Sequence, residues 1–269
     1  MTHKKLSLPE YYEDDAVIAA VSGGKDSTAL AIALREAGIP FVAVFADTGW
    51  EAPETYDHLG VIERVLDITI HHVGFPGGMR AKIAARAGFP ARMQRWCTRE
   101  LKTQPLDAFA HELGEREGRA VLQAVGIRAD ESAARAAMAE VEHDPSRDLT
   151  VWRPLLHWSV EDVIAAHHRA GMPMHPHYLR GHNRVGCWPC IFARKEEIRF
   201  LSEKDPARID LIRSLIGDPA GVYCRGVRHP DLPDYPDVRT SIILDYGDLI
   251  RCSLTLNHTH TFGAREAVS

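Results

Sequence analysis

The sequence predicts an α/β protein with a doubly wound parallel sheet, and three observations indicate this fold class. Short apolar runs rich in β-branched residues alternate with segments that repeat apolar residues at helical intervals. Strands that are buried on both faces of a parallel sheet have this continuous apolar character. Polar motifs containing glycine also follow several of these runs directly, and ligands of doubly wound sheets bind beyond the carboxyl ends of the strands.

The first strand and the first helix are the clearest elements. Residues 16–21 form a short apolar run, and apolar residues between Leu30 and Ala37 then recur at helical spacing. Gly38 follows the last of them, in the position of a helix C-cap. We therefore expect a strand, a tight turn and a helix over residues 16–38.

The same alternation continues along the first half of the chain. Residues 40–46 predict a second buried strand, and residues 53–65 predict a helix that Pro53 opens. Further apolar runs predict strands at residues 66–73 and 120–125.

The second half of the chain has weaker patterns. Ser159 and Asp162 form a capping box for a helix that runs to Gly171. Residues 171–190 are rich in Pro, His and Gly and predict a loop. Helix is expected at residues 191–216, interrupted at Asp205-Pro206, and a late strand is expected at residues 241–244. We expect a main domain at residues 1–170 and a smaller extension containing Cys and His at residues 171–269.

The turn after the first strand predicts a phosphate-binding site. Its glycines allow positive φ angles and close approach of a ligand, and the following helix directs unpaired N–H groups at the turn. A lysine ammonium and two serine hydroxyls add charge and donors; the turn consists of Ser22, Gly23, Gly24, Lys25, Asp26 and Ser27. The alternative is an ordinary glycine-containing turn, and the spacing of the Walker P-loop is absent.

Overall charge and hydropathy restrict the function classes. A net charge of -5 and a pI near 6.3 argue against binding of nucleic acid by the whole surface. Residues 80–102 are locally basic, which indicates either a substrate patch or a solvated helix face. The sequence has no apolar signal segment and no membrane-spanning run, so we expect a soluble, cytoplasmic protein.

The five cysteines are expected to be thiols, metal ligands or redox groups rather than disulfides. Cys187 and Cys190 have the two-residue gap that lets both sulfurs face one metal ion or cluster. The alternatives are a zinc site, with His175, His177 or His182 as a further ligand, and a redox dithiol. Cys252 lies in an apolar stretch and is expected to be a core thiol.

Five motifs together resemble a known family. SGGKDS (residues 22–27) resembles the PP-loop of the N-type ATP pyrophosphatases. The other four are FADTGWEAPET, RWCTRELKTQPL, VGIRADESAAR and GHNRVGCWPC, at residues 45–55, 95–106, 125–135 and 181–190. The set is similar to the phosphoadenosine-phosphosulfate reductase family, and most similar to its DNA-phosphorothioation branch. The resemblance implies an adenine nucleotide alpha hydrolase-like fold.

The resemblance also implies roles for individual residues. Residues 22–27 would bind the phosphates of ATP, with Lys25, Asp26 and Arg128 as catalytic residues. Mg²⁺ is expected with ATP, but the sequence assigns no ligand to it. Asp47 and Thr48 would border the nucleoside, and Gly126 would line the α-phosphate side together with Arg128. For Arg128, an ion pair with Asp130 or Glu131 is the alternative.

The cysteine motifs of the family imply a four-iron, four-sulfur cluster. Cys97, Cys187 and Cys190 would be ligands, and either Cys224 would be the fourth or one iron would stay open to carry sulfur. Relatives with a cluster have adjacent cysteines at the first position, whereas this chain has Trp96-Cys97. Zinc is the alternative metal.

The implied function is an ATP-dependent sulfurtransferase. ATP would adenylate an acceptor such as nucleic acid, and sulfur from a donor protein such as a cysteine desulfurase would then replace AMP. Whether the protein forms an oligomer is left open. The first alternative is reduction of phosphoadenosine or adenosine phosphosulfate, which needs a tail cysteine in an E-C-G-x-H motif, and residues 255–269 contain no cysteine. The second is a nucleotide-binding module without catalysis, against which the intact Lys25, Asp26 and Ser27 argue.

Overall fold

The computed structural model describes residues 6–91 and 93–216, which form two compact units. The first unit contains residues 6–79 and 97–188, and the described part of the second contains residues 80–91, 93–96 and 189–216. The division at residue 170 stays a prediction. Cys224, Cys252 and the strand predicted at residues 241–244 lie outside the described residues.

A six-stranded sheet in the order β3-β2-β1-β4-β6-β5 forms the centre of the first unit. Neighbouring strands are parallel except at β5, which pairs antiparallel with β6. The strands are β1 Ala16–Ala20, β2 Val42–Ala46, β3 Ile70–Val73, β4 Val121–Val125, β5 Val141–Asp144 and β6 Leu149–Trp152. The predicted α/β class with a mainly parallel sheet is confirmed, while the β5–β6 hairpin was not predicted.

The described helices follow the strands in alternation up to β4. They are α1 Lys25–Ala37, α2 Pro53–Leu66, α3 Gly78–Arg86, α4 Trp96–Thr98, α5 Gln104–Glu117, α6 Ala133–Ala136, α7 Val160–Arg169, α8 Pro176–Leu179, α9 Lys195–Lys204 and α10 Pro206–Ile216. A π-helix at Arg99–Thr103 joins α4 to α5, and a short 3₁₀ helix covers Ala129–Glu131.

The two faces of the sheet are covered by different helices. Alternate residues of β1 point to opposite sides, so Val17 and Ala19 pack in one core with α1, α2 and α7. Ala16 and Ile18 pack in a second core with α5. Burial of both faces is the arrangement that the continuous apolar strands predicted.

Several predicted helix ends are confirmed. Gly38 caps α1 with a left-handed φ of 71°, and the capping box of Ser159 and Asp162 opens α7. The strand predicted from residue 66 was wrong in its first half, because Leu66 is the last residue of α2 and is buried. The strand begins only at Ile70.

Membrane insertion through a helix finds no support in the described residues. Among them, no helix combines the length and the apolar character that a membrane span requires.

Candidate functional site

The turn between β1 and α1 has the geometry of an anion-binding loop. Gly23 has a φ of 73°, and Gly24 at the N-cap has no side chain that could satisfy the N–H groups of the first helical turn. The Ser27 hydroxyl lies 3.0 Å from the Ser22 nitrogen, from which it accepts, and 3.1 Å from the Gly24 carbonyl oxygen, to which it donates. These bonds hold the loop in a shape that leaves helix N–H groups for a ligand.

The structure brings three predicted residues together at this loop. Lys25 Nζ lies 2.6 Å from Asp26 Oδ2, and Arg128 Nε lies 2.6 Å from Asp26 Oδ1. Arg128 is 4% exposed, and Nη1 also bonds both carboxylate oxygens of Asp130 at 2.6 Å. Burial alone would lower the pKa of Arg128, but the ion pairs with Asp26 and Asp130 raise it. Arg128 is therefore a charged group beside the loop as well as a partner of Asp130.

Gly126 explains how Arg128 reaches the loop. A Cβ on Gly126 would lie 2.7 Å from the Asp26 carbonyl oxygen and 2.9 Å from the Ser27 nitrogen. Only a residue without a side chain allows the end of β4 to approach the first turn of α1 so closely. Contact of Gly126 with a nucleotide stays a prediction, and its packing role follows from the structure.

Asp47 and Thr48 follow β2, which neighbours β1 in the sheet. Asp47 Oδ1 accepts hydrogen bonds from the Gly49 nitrogen and the Tyr56 hydroxyl, both at 2.8 Å. Thr48 is fully buried, and its hydroxyl donates to the Glu51 carboxylate at 2.7 Å. Contact of either residue with a nucleoside stays a prediction, and the Thr48 hydroxyl is engaged within the protein.

Glu51 is a buried carboxylate that the sequence analysis missed. It is 3% exposed and accepts hydrogen bonds from the backbone nitrogens of Thr48 and Trp50 at 3.2 Å. Lys102 Nζ, on the π-helix, lies 4.0 Å from Glu51 Oε1. The signal available in the sequence was a glutamate placed between Trp50 and Ala52, shortly after an apolar strand.

Cys187 lies beside this buried group. Residues 51 and 187 form an antiparallel bridge, and the Trp188 nitrogen donates to the Trp50 carbonyl oxygen at 2.7 Å. The Cys187 sulfur is 3.9 Å from the Thr48 hydroxyl. The structure therefore joins the segment after β2 to one predicted metal ligand.

Three of the four predicted metal ligands lie in the described residues. Cys97, Cys187 and Cys190 are half-buried thiols without disulfides. No three His, Cys, Asp or Glu side chains within residues 6–91 and 93–216 are arranged to hold a metal ion. Thiols are donors of the type that clusters and zinc prefer, so the residues fit in chemical kind. Metal binding by these cysteines and Cys224 stays a prediction.

Buried histidines lie beneath the loop. His167 Nε2 is 2.8 Å from the Lys25 carbonyl oxygen. His175 Nδ1 accepts from the His177 nitrogen, so its Nε2 carries the proton and donates to the Thr55 hydroxyl at 3.3 Å. With both ring nitrogens engaged, His175 is not free to act as a zinc ligand.

Burial keeps two histidines, His58 and His175, neutral. It lowers the pKa of His58 to about 4, and His167 adds to the shift. The pKa of His175 falls to about 3 for the same reason, with His177 and His58 contributing. Both imidazoles are thus uncharged at neutral pH.

Comparisons with known proteins identify similar sequences. The phosphoadenosine phosphosulfate reductase domain matches residues 16–193. An uncharacterized 37.8 kDa protein of Escherichia phage 186 is 32% identical, with 74% of each chain covered. An uncharacterized protein of Methanocaldococcus jannaschii is 31% identical over 76% of this chain but only 41% of its own length. Adenosine 5'-phosphosulfate reductase of Allochromatium vinosum is 29% identical, with 67% of this chain and 70% of that protein covered.

The Gly126→Ala variant should be less stable than the wild type. Its Cβ would collide with the Asp26 carbonyl group 2.7 Å away, and overpacking of this kind costs about 1–3 kcal/mol. Urea unfolding measures the difference. Gly60→Ala is the control, because a Cβ at this helical position meets nothing within 4 Å and the change should stabilise by up to about 1 kcal/mol. Equal stabilities of the Gly126 variant and the wild type would contradict the close packing.

The free energy of unfolding should fall as the pH drops from about 6.5 towards 4. His58 stays neutral in the folded protein down to a pKa of about 4, whereas in the unfolded chain it binds a proton near its ordinary pKa of 6.5. The stabilisation is thus complete above pH 6.5, and the loss for this group reaches about 3 kcal/mol.

His58→Leu tests this assignment by urea unfolding at several pH values. The variant should show a shallower decline between pH 6.5 and 4 than the wild type, because it removes one group that protonates only on unfolding. His143→Gln changes an exposed histidine and should leave the slope unaltered. An unchanged slope in His58→Leu would show that other groups cause the decline.

Proposed function

Because the chain belongs to the phosphoadenosine phosphosulfate reductase domain family, we propose that it is an enzyme that acts on an adenine nucleotide through residues 22–27. The first turn of α1 carries this proposal. There, uncapped N–H groups, the Lys25 ammonium and the Arg128 guanidinium lie around the Asp26 carboxylate. Such an arrangement stabilises the negative charge of phosphate groups.

The proposed reaction cleaves ATP between its α and β phosphates. An oxygen of the acceptor attacks the α-phosphorus, so that an acceptor–AMP bond forms and pyrophosphate leaves. Lys25 and the helix N–H groups neutralise the leaving pyrophosphate, and Arg128 stabilises charge on the α-phosphate. Asp26 already pairs with both cations, so ATP with part of its charge neutralised by Mg²⁺ suits the site better than free ATP.

Sulfur transfer completes the proposed reaction. The terminal sulfur of a persulfide attacks the adenylated carbon of the acceptor, the carbon–oxygen bond breaks, and AMP leaves with the oxygen. A thiol then attacks the donor-side sulfur of the resulting disulfide, so that the sulfur–sulfur bond breaks, the acceptor keeps the transferred sulfur and the donor leaves as a disulfide with that thiol. The proposed acceptor is nucleic acid, and the proposed source of sulfur is a donor protein such as a cysteine desulfurase. The proposed setting is the cytoplasm, where thiols stay reduced.

The cysteines provide donors for an iron–sulfur cluster. Cys97, Cys187 and Cys190, with Cys224, would hold it, and a bound cluster would carry sulfur or electrons. The bridge that places Cys187 beside the segment after β2 supports a role near the nucleotide.

Reduction of adenosine 5'-phosphosulfate is the second candidate. The similarity to the reductase of Allochromatium vinosum favours it. In that reaction a cysteine thiolate attacks the sulfur of the nucleotide, the sulfur–oxygen bond to AMP breaks, and a second thiol then releases sulfite as a disulfide forms. The same loop would hold the phosphate, so the two candidates differ in their products.

Wild-type protein incubated with Mg²⁺-ATP and its acceptor should release pyrophosphate and AMP. Lys25→Ala should lower the rate by about 100-fold, because one preorganised charge that stabilises the leaving group is lost. Lys195→Ala, an exposed lysine on α9, is the control and should retain the rate. Production of ADP and orthophosphate would contradict the proposed cleavage. Catalytic formation of sulfite from adenosine 5'-phosphosulfate would instead establish the second candidate.

Anaerobically purified protein should contain iron and sulfide bound by cysteines. Cys97→Ser, Cys187→Ser and Cys190→Ser should each lose both, because thiolate sulfur is the preferred ligand of the cluster. Cys252→Ser should retain them, and Cys224→Ser tests the fourth ligand. Optical spectra with elemental analysis measure the outcome. Zinc in place of iron, or no metal, would contradict the cluster.

A further inference from the structure

A tyrosine from a distant part of the chain lies against the phosphate loop. Tyr178 is in the short helix α8, 153 residues after Lys25, and its hydroxyl oxygen accepts the Lys25 N–H at 3.1 Å. A Cβ on Gly24 would lie 3.5 Å from the same oxygen. The hydroxyl therefore occupies a place at the first turn of α1, where the helix presents its donors.

The hydrogen bonds of Tyr178 leave its proton available. The phenolic oxygen accepts the Lys25 N–H with a lone pair. A phenolic hydroxyl also donates one proton, which this bond does not use. Within the described part of the chain the hydroxyl donates this proton to no acceptor, since in its hydrogen bond with Lys25 the backbone N–H is the donor.

The hydroxyl keeps this proton at neutral pH. Burial raises the pKa of Tyr178 to about 12, although the backbone N–H of Lys25 acts in the opposite direction. The nearby Asp26 carboxylate also raises the pKa. Tyr178 is thus a neutral donor throughout the range in which the enzyme would work.

The ring of Tyr178 has a separate contact with the loop. Lys25 Nζ lies 5.7 Å from the ring centroid, within the range of a cation–π interaction. The ring helps to hold the ammonium, while the hydroxyl faces the backbone. A change that removes only the hydroxyl therefore separates the two contributions.

We infer that Tyr178 is a phosphate-binding residue of the loop, whose hydroxyl accepts the Lys25 N–H and donates its proton to an anionic phosphate oxygen of the nucleotide. This rests on the proposed function, because it requires a nucleotide phosphate at residues 22–27. A hydroxyl that accepts a hydrogen bond becomes a better donor, so the chain from N–H to hydroxyl to phosphate strengthens its last bond. Tyr178 thereby extends the helix N-terminus by one donor.

Tyr178→Phe tests this in the full chain by calorimetry with Mg²⁺-ATP. The variant should bind ATP about 10-fold more weakly, which is the loss expected for one hydrogen bond to a charged group. Adenosine, which lacks phosphate, should compete equally well in variant and wild type. Tyr12→Phe is the matched control, because Tyr12 is half-buried against the core. The affinity of this variant for ATP should equal that of the wild type.

Incorporation of 3-fluorotyrosine at position 178 tests whether the hydroxyl donates to phosphate or only accepts the Lys25 N–H. Fluorine makes the hydroxyl a stronger donor and a weaker acceptor while the fold and the ring are kept. Unchanged or tighter binding of ATP is the expected result. Weaker binding would show that the hydroxyl only satisfies the Lys25 N–H, and would overturn the inference even if Tyr178→Phe failed to fold.

The remaining outcomes separate the two proposals. Equal affinity of wild type and Tyr178→Phe for ATP would overturn the role of Tyr178, and so would an equal loss for ATP and adenosine. If the wild type binds ATP, Tyr178→Phe binds ATP more weakly and the wild type releases no pyrophosphate, only the proposed reaction is contradicted. Wild-type protein that binds neither ATP nor adenosine 5'-phosphosulfate would overturn both.

Discussion

The contact between Gly126 and the first turn of α1 is the constraint on which the candidate site depends. The end of β4 can lie against the Asp26 carbonyl only because residue 126 lacks a Cβ. That approach lets Arg128, two residues later, reach Asp26 from inside the protein. The pairing of β1 with β4 along their whole length provides the rigid support. A loop on one strand thus becomes a site with charges from two strands.

Polar groups buried behind the loop connect it to the rest of the first unit. The Glu51 carboxylate accepts hydrogen bonds from the nitrogen and the hydroxyl of Thr48 and from the Trp50 nitrogen. The adjoining backbone pairs with residues 187–188. A buried carboxylate is costly unless its oxygens are hydrogen-bonded, so this segment has little freedom to move. On the other side, neutral histidines bond the Lys25 carbonyl and Thr55. Neither the hydrogen bonds of Glu51 nor those of the neutral histidines add positive charge next to the loop.

The main elements were predictable because each has a local cause. Buried strands need apolar runs, Gly38 provides a left-handed cap, and the capping box of Ser159 opens α7. The β5–β6 hairpin was missed because Val141–Asp144 has one apolar residue followed by three polar residues and is at most half-buried, which leaves a weak pattern. Leu66 was placed in a strand because periodicity cannot separate the end of one apolar run from the start of the next. The errors fall where the local pattern is short.

By itself the sequence determined the α/β class, the loop of residues 22–27 and the motifs at residues 45–55 and 125–135, because turn chemistry and apolar runs are local properties. Only the tertiary structure decided which distant side chains meet that loop. Tyr178 and His167 reach it from separate elements, and Glu51 is buried beside Cys187. Such contacts depend on strand order and on the packing of helices across the sheet. A single sequence carries no local pattern for them, because the partners are up to 153 residues apart and neither one specifies the other.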